Sequence, residues 1–146
     1  MTHRLLAATA AVLLSGVLAA TEQAMTATDA WVREPVPGRS VTAAFIVLEN
    51  PGPADLHIVS ASADVAGTVE LHEMVRSGDM MKMAPVGRIT VPAKGRVELR
   101  PGGLHMMLFE LKRPLREGDE VQLTLTTDTG ASVKASAPVK KMRMQP

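Results

Sequence analysis

Short apolar segments, separated by turns rich in proline and glycine, follow one another from residue 30 to residue 139. Residues 41–48 are apolar at nearly every position, which is typical of a strand in the core of a sandwich. Residues 121–127 alternate between apolar and polar side chains, the period of a strand with one buried face. We therefore predict an all-β fold, an antiparallel β-sandwich with Greek-key connections.

The remaining predicted strands lie between closely spaced turn signals, and about eight or nine strands are expected in all. They cover residues 30–33, 56–63, 68–74, 81–84 with an extended continuation at 89–92, 96–100, 104–111 and 132–139. Residues 21–29 are mostly small and polar, and we predict a loose lead-in there.

The first twenty residues have the order of a secretory signal peptide. Arg4 gives a basic start, residues 5–18 are mostly apolar, and Ala19 and Ala20 are small. The apolar run is shorter than the roughly 20 residues that span a bilayer. We expect cleavage after Ala19 or Ala20, location in the periplasm and no membrane insertion of the mature chain. An uncleaved membrane anchor is the alternative.

Composition narrows the class of protein. The 146 residues suit one domain, predicted at 21–139 and followed by a short basic disordered tail at 140–146. There is no cysteine, so the fold must form without disulfides. The net charge is +1 without a basic stripe, and nucleic acid is therefore not expected as a partner. With one tryptophan, two phenylalanines and no tyrosine, the chain has few aromatic side chains for base stacking or sugar binding.

Two histidines and two methionines form a spaced set: His72, ten residues, Met83, twenty-one residues, His105, one residue, Met107. His105 and Met107 are two apart in a predicted strand, so their side chains leave the same face. His72 and Met83 flank the turn at 76–79, and a hairpin there could bring them together. We expect two hairpins to converge at one exposed end of the sandwich.

These four side chains are a soft ligand set. Thioethers favour Cu(I), and imidazole also binds copper well. An electron-transfer blue-copper centre would need a cysteine thiolate, which this chain lacks. We therefore predict a Cu(I) site from which the ion can be released.

Other histidines and methionines have competing interpretations, since methionine also fills gaps in cores. Met106 lies on the strand face opposite His105 and is assigned to the core. Met74 shares a face with His72 and is a possible alternative ligand. His57 is expected to be structural, and the roles of Met80 and Met81 are left open.

The pattern H-x10-M-x21-H-x-M resembles that of the periplasmic copper chaperone family PCuAC. The surrounding residues resemble that family as well, over most of residues 29–139. They are VELHEM at 69–74, MKM at 81–83 and LRPGGLHMM at 99–107.

The resemblance implies a cupredoxin-like β-sandwich that binds Cu(I) through His72, Met83, His105 and Met107. It also implies delivery of copper to the CuA centre of cytochrome c oxidase subunit II, alongside Sco-type copper proteins. The tail offers only Met142 and Met144 and no histidine, so a second Cu(II) site is not expected there.

No enzymatic activity is expected. Two histidines with methionines fit a hydrolytic zinc site poorly, and no G-x-S-x-G motif is present. Two alternatives to a delivering chaperone remain. One is a periplasmic copper-sequestering or resistance protein that uses the same residues. The other is a metal-free β-sandwich interaction module whose methionines only pack.

Overall fold

The structure is a computed structural model that describes residues 24–142, and the predicted signal peptide and the last four residues lie outside that range. The described chain consists of strands, turns and loops, and none of its elements is a helix long and apolar enough to cross a membrane. The all-β prediction is confirmed. The strands are β1 Thr26–Arg33, β2 Thr42–Asn50, β3 Leu56–Ala63, β4 Ala66–Ser77, β5 Met80–Pro85, β6 Ile89–Val91, β7 Gly95–Leu99, β8 His105–Leu111, β9 Glu120–Thr127 and β10 Ser132–Lys140.

The strands form two layers. One layer has the order β5-β4-β8-β2-β1, with β7 also paired to β2, and the other has the order β10-β9-β3-β6. Strand β1 joins the layers, because it pairs antiparallel with β2 and parallel with β10. Among the described strands this is the one parallel pair, and the rest of the sandwich is antiparallel as predicted.

The core lies between the layers and is built from alternate residues of each strand. In β9 the inward residues Val121, Leu123 and Leu125 are fully buried, as their alternation predicted. In β8 Met106 and Leu108 are fully buried in the same core. The assignment of Met106 to the core is therefore confirmed.

The first strand begins earlier than the sequence pattern indicated. Residues 26–28 pair with residues 47–49 of β2, so the predicted lead-in is wrong for that segment. The register shifts between Thr28 and Trp31, and Asp29 has a φ of 51°. This is a β-bulge, in which an extra residue is accommodated on one strand. Backbone pairing with β2 keeps these small polar residues in the sheet, and their side-chain pattern does not reveal it.

A tight turn joins β4 and β5. Ser77 and Met80 are direct partners, which leaves two residues, Gly78 and Asp79, in the loop. Gly78 has a φ of 63°, as a two-residue hairpin turn requires of glycine. The hairpin therefore has a fixed register, and β5 forms one edge of the sheet.

Replacing Met106 by alanine should lower the free energy of unfolding by about 2–5 kcal/mol, because it empties a fully buried position. Met107→Ala is the matched control, since Met107 is the same residue type on the opposite face and is only half-buried. Its effect should be clearly smaller in urea denaturation. Equal losses in the two variants would contradict the assignment of the faces.

Candidate metal centre

His72 of β4 and His105 of β8 are direct partners across the sheet. Residues opposite one another in an antiparallel pair project to the same face. The two imidazole rings lie with their centroids 5.8 Å apart. The predicted strands thus bring both histidines into one place.

This place is the outer face of the layer. Leu71 and Met106, the neighbours of the histidines in sequence, are also paired with one another and belong to the core. The histidines must therefore point away from the core, because successive side chains alternate. The site lies on the outer face of the sheet, in the middle of β4 and at the first residue of β8. His105 is therefore close to a strand end and to the turn before it, as the sequence suggested.

The imidazoles are nevertheless buried, with exposures of only 8% for His72 and 3% for His105. Aromatic rings surround them: Phe45 lies 6.5 Å from His105, and Phe109 lies 6.1 Å from His72. Trp31 packs on Phe45 at 4.5 Å. The expectation of a surface-exposed site is wrong for the histidines, since these rings form a small apolar cover on the outer face.

Hydrogen bonds determine the tautomer of each ring. Nδ1–H of His105 donates to the carbonyl oxygen of Gly103 at 2.9 Å, and a carbonyl can only accept. Nε2–H of His72 donates to Oε2 of Glu70 at 2.7 Å, and an ionised carboxylate can only accept. In its neutral form, each ring therefore has a lone pair on its other nitrogen.

These two other nitrogens have no partner. Among residues 24–142, Nδ1 of His72 and Nε2 of His105 are the buried side-chain nitrogen or oxygen atoms that lack a hydrogen bond. Leaving such a group unpaired costs about 1–3 kcal/mol. A metal-ligating histidine has this arrangement, with one nitrogen donating to a carboxylate or carbonyl and the other free for the ion.

The Gly103 carbonyl is placed by a tight turn. The Gly103 amide donates to the Arg100 carbonyl at 3.0 Å, and Gly102 has a φ of 83°. Proline at the second position and glycine at the third are the residues of a type II turn, and Pro101 and Gly102 occupy them. The same carbonyl accepts from the Met74 amide at 3.3 Å. The turn thus fixes both the His105 ring and the adjoining part of β4.

The spacing of the rings fits one shared ion. An imidazole nitrogen binds a transition metal at about 2.0–2.1 Å and lies about 1.1 Å from the centroid of its ring. Two rings that bind the same ion therefore have centroids no more than about 6.3 Å apart. The observed 5.8 Å satisfies this limit. No group of three or more His, Cys, Asp or Glu side chains in the described part of the chain could hold a metal. Thioethers near the pair are candidates for further ligands.

Thioethers lie on both sides of the histidine pair. Met107 is the direct partner of Glu70, two positions from the histidines in one direction, and is half-buried. Met83 is the direct partner of Met74, two positions from His72 in the other direction, and is 54% exposed. Diagonal neighbours of this kind lie about 7–8 Å apart at Cα, within reach of long side chains.

Met83 is therefore not opposite His72, whose partner on β5 is Pro85. Met74 is the direct partner of Met83 and lies on the same face as His72. It therefore stays a candidate alternative ligand. His57 is on β3, in the other layer, and its Nδ1 lies 2.9 Å from Oγ1 of Thr90. This contact agrees with a structural role.

Sequence reasoning missed the residues that support the histidines. Glu70 is two residues before His72 on the same face, a signal that was visible in the strand alternation. The three aromatic residues of the chain, Trp31, Phe45 and Phe109, all lie around the histidines. Phe109 could have been found from its even spacing to His105, whereas Trp31 and Phe45 required knowledge of the strand order.

A β-sandwich with a buried histidine pair flanked by methionines is thus the class of protein that fold and site define. The family model described as "Putative lipoprotein LpqE-like" matches residues 25–139. The chain belongs to this family.

Two curated relatives match parts of the chain. A putative lipoprotein of Leifsonia xyli is 35% identical over 113 residues, which are 76% of this chain and 66% of that protein. A Rickettsia prowazekii protein is 30% identical over 90 residues, which are 61% of this chain and 50% of that protein. The matches thus span 66% and 50% of the lengths of these relatives.

Solved structures share the fold. The solution structure of CuI-DR1885 from Deinococcus radiodurans is 33% identical with a TM-score of 0.63, over 87% of this chain and 83% of that one. The copper-bound PCuAC domain from PmoF2 has a TM-score of 0.69 at 19% identity, over 81% of this chain and 93% of that one. The cupredoxin-like sandwich and the resemblance to the PCuAC family are confirmed.

The hydrogen bonds predict different tautomers for the two rings in the metal-free protein. When both rings are neutral, long-range ¹H–¹⁵N spectra should show His105 protonated on Nδ1 and His72 on Nε2. His57→Ala should leave both signals unchanged and serves as the control. Identical tautomers for His72 and His105 would contradict the arrangement.

Proposed function

We propose that the chain is a periplasmic copper chaperone that binds one Cu(I) through His72, Met83, His105 and Met107. It passes the ion to a partner in assembly of the CuA centre of cytochrome c oxidase. It acts as a carrier and not as an enzyme.

The observation that carries this proposal is the pair of unpartnered imidazole nitrogens at a spacing that suits one ion. The flanking thioethers favour Cu(I) over harder ions. The Glu70 carboxylate beside His72 contributes negative charge near the bound cation and raises the basicity of that ligand. DR1885 and PmoF2, which share the fold, are described as copper-bound.

The uneven exposure of the ligands supports delivery. Both imidazoles are covered by aromatic rings, whereas Met83 is 54% exposed on an edge strand. A partner can therefore reach the ion from the β5 side and replace a neutral thioether first. Neither a thiolate nor a closed cage holds the ion, so exchange is favoured over sequestration.

The family and the predicted signal peptide support export. The family model and the Leifsonia xyli relative are described as lipoproteins. A location outside the cytoplasm suits a thioether site, because methionine binds Cu(I) without being lost to disulfide formation. The partners expected there are cytochrome c oxidase subunit II and a Sco-type copper protein.

An anaerobic titration of the signal-free protein with Cu(I) against a chromophoric chelator should give one ion per chain. His72→Ala and His105→Ala should abolish competition with the chelator, because each removes a ligand nitrogen. Glu70→Ala should weaken binding by about 10–100-fold, the usual cost of losing a support of a ligating histidine.

His57→Ala is the matched control and should bind as the wild type does, with circular dichroism confirming that every variant is folded. Undiminished Cu(I) binding in both histidine variants would refute the site. Absence of binding in the wild type would favour the metal-free interaction module.

Delivery is tested by mixing the Cu(I)-loaded chain with the metal-free soluble domain of cytochrome c oxidase subunit II and a reduced Sco-type protein. We expect copper on an acceptor after the proteins are separated, because the two thioether ligands are readily displaced. Retention of the ion by the chain with every acceptor would support the sequestering alternative.

A further inference from the structure

The β4–β5 hairpin carries a second group of thioethers that the proposed site uses only in part. Met74 and Met83 are direct partners, and Met81 is two residues before Met83 and opposite Arg76. The pairing is continuous from Ser77–Met80 to His72–Pro85. Met74, Met81 and Met83 therefore share the face of His72, whereas Met80 projects to the other face.

These three sulfur-bearing side chains are close enough to share an ion. Direct partners have Cβ atoms about 4.5–5.5 Å apart. Alternate residues of one strand are about 6.4–6.8 Å apart. Methionine has three flexible torsions, so its sulfur can converge from such positions.

The exposure of this group is unusual for apolar side chains. Met81 and Met83 are each 54% exposed, and Met74 is half-buried. They lie on or beside β5, an edge strand of the sheet. Exposed apolar residues on an edge strand favour unwanted association, and proteins generally avoid them. A ligand role gives a physical reason for retaining them.

The face that carries His72 and the three methionines has a positive side chain at its outer end and a negative one at its inner end. Arg76, opposite Met81, lies at the outer end, and Glu70, bonded to His72, lies at the inner end. Nε of Arg76 donates to the Gly78 carbonyl at 3.1 Å, which holds that cation at the turn. A cation on the thioethers is therefore repelled at the outer end and attracted towards the histidines.

We propose that Met74, Met81 and Met83 form an outer Cu(I) position through which the ion enters and leaves the histidine pair. This inference rests on the proposed function, and Met83 is common to both positions. The metal remains Cu(I) throughout. Thioethers replace the imidazoles as ligands one at a time, and no electron or proton is transferred.

The outer position makes a kinetic prediction that the inner site alone does not. In stopped-flow transfer of Cu(I) from the loaded protein to a chelator, Met81→Leu and Met74→Leu should slow release by about tenfold. The affinity of Met81→Leu for the first Cu(I) should stay within about twofold of the wild type. Leucine keeps the volume and removes the sulfur.

Met80→Leu is the matched control, because Met80 is a neighbouring exposed methionine on the opposite face. It should release copper at the wild-type rate. In a ¹³C-methyl methionine spectrum, a second equivalent of Cu(I), held too weakly to compete with the chelator, should shift Met74 and Met81 and leave Met80 in place.

Wild-type release rates in Met81→Leu and Met74→Leu, without shifts from a second equivalent, would overturn the outer position and leave the inner site standing. Equal slowing in Met80→Leu would also overturn it, because the effect would then not depend on which face of the hairpin carries the sulfur. Failure to bind even the first equivalent would instead refute the proposed function, so the two failures are distinguishable.

Discussion

The antiparallel register between β4 and β8 decides where every group of the candidate site lies. It sets His72 opposite His105 and Glu70 opposite Met107, and it pairs Leu71 with Met106 in the core. A shift by one residue would send the histidines into the core and the leucine to the surface. The apolar residues on the inner face therefore specify the position of the polar ones on the outer face.

Site and core are separate in this molecule, although they share two strands. The core is filled by one set of alternate residues, and the outer set carries ligands, supports and the aromatic cover. A metal ligand on the outer face can be replaced without opening a cavity in the core between the layers. The aromatic cover meanwhile gives the imidazoles a dry environment, in which their hydrogen bonds are stronger than in water.

Much of this arrangement was visible in the sequence. Alternation identified β3, β9 and most of the remaining strands, and it placed Met106 in the core and Met74 beside His72. The spacing of histidine and methionine identified the candidate ligands. What could not be predicted depends on strand order and on backbone atoms: the cover from Trp31 and Phe45, and the Gly103 carbonyl. The sequence also suggested an open site, because it carries no direct information on which outer-face residues shield one another.

The Gly103 carbonyl, which accepts from both the His105 ring and the Met74 amide, has a consequence for motion. It fastens the inner part of the β4–β5 hairpin to the histidine pair, and beyond it the outer hairpin is held by β4–β5 pairing at an edge. Edge segments with exposed side chains open locally at a small fraction of the global unfolding free energy. Local opening of the outer part of the β4–β5 hairpin would move Met83 and its neighbours away from the site while both imidazoles keep their strand pairing. The ligand set thus consists of two histidines that stay in place and thioethers that can leave.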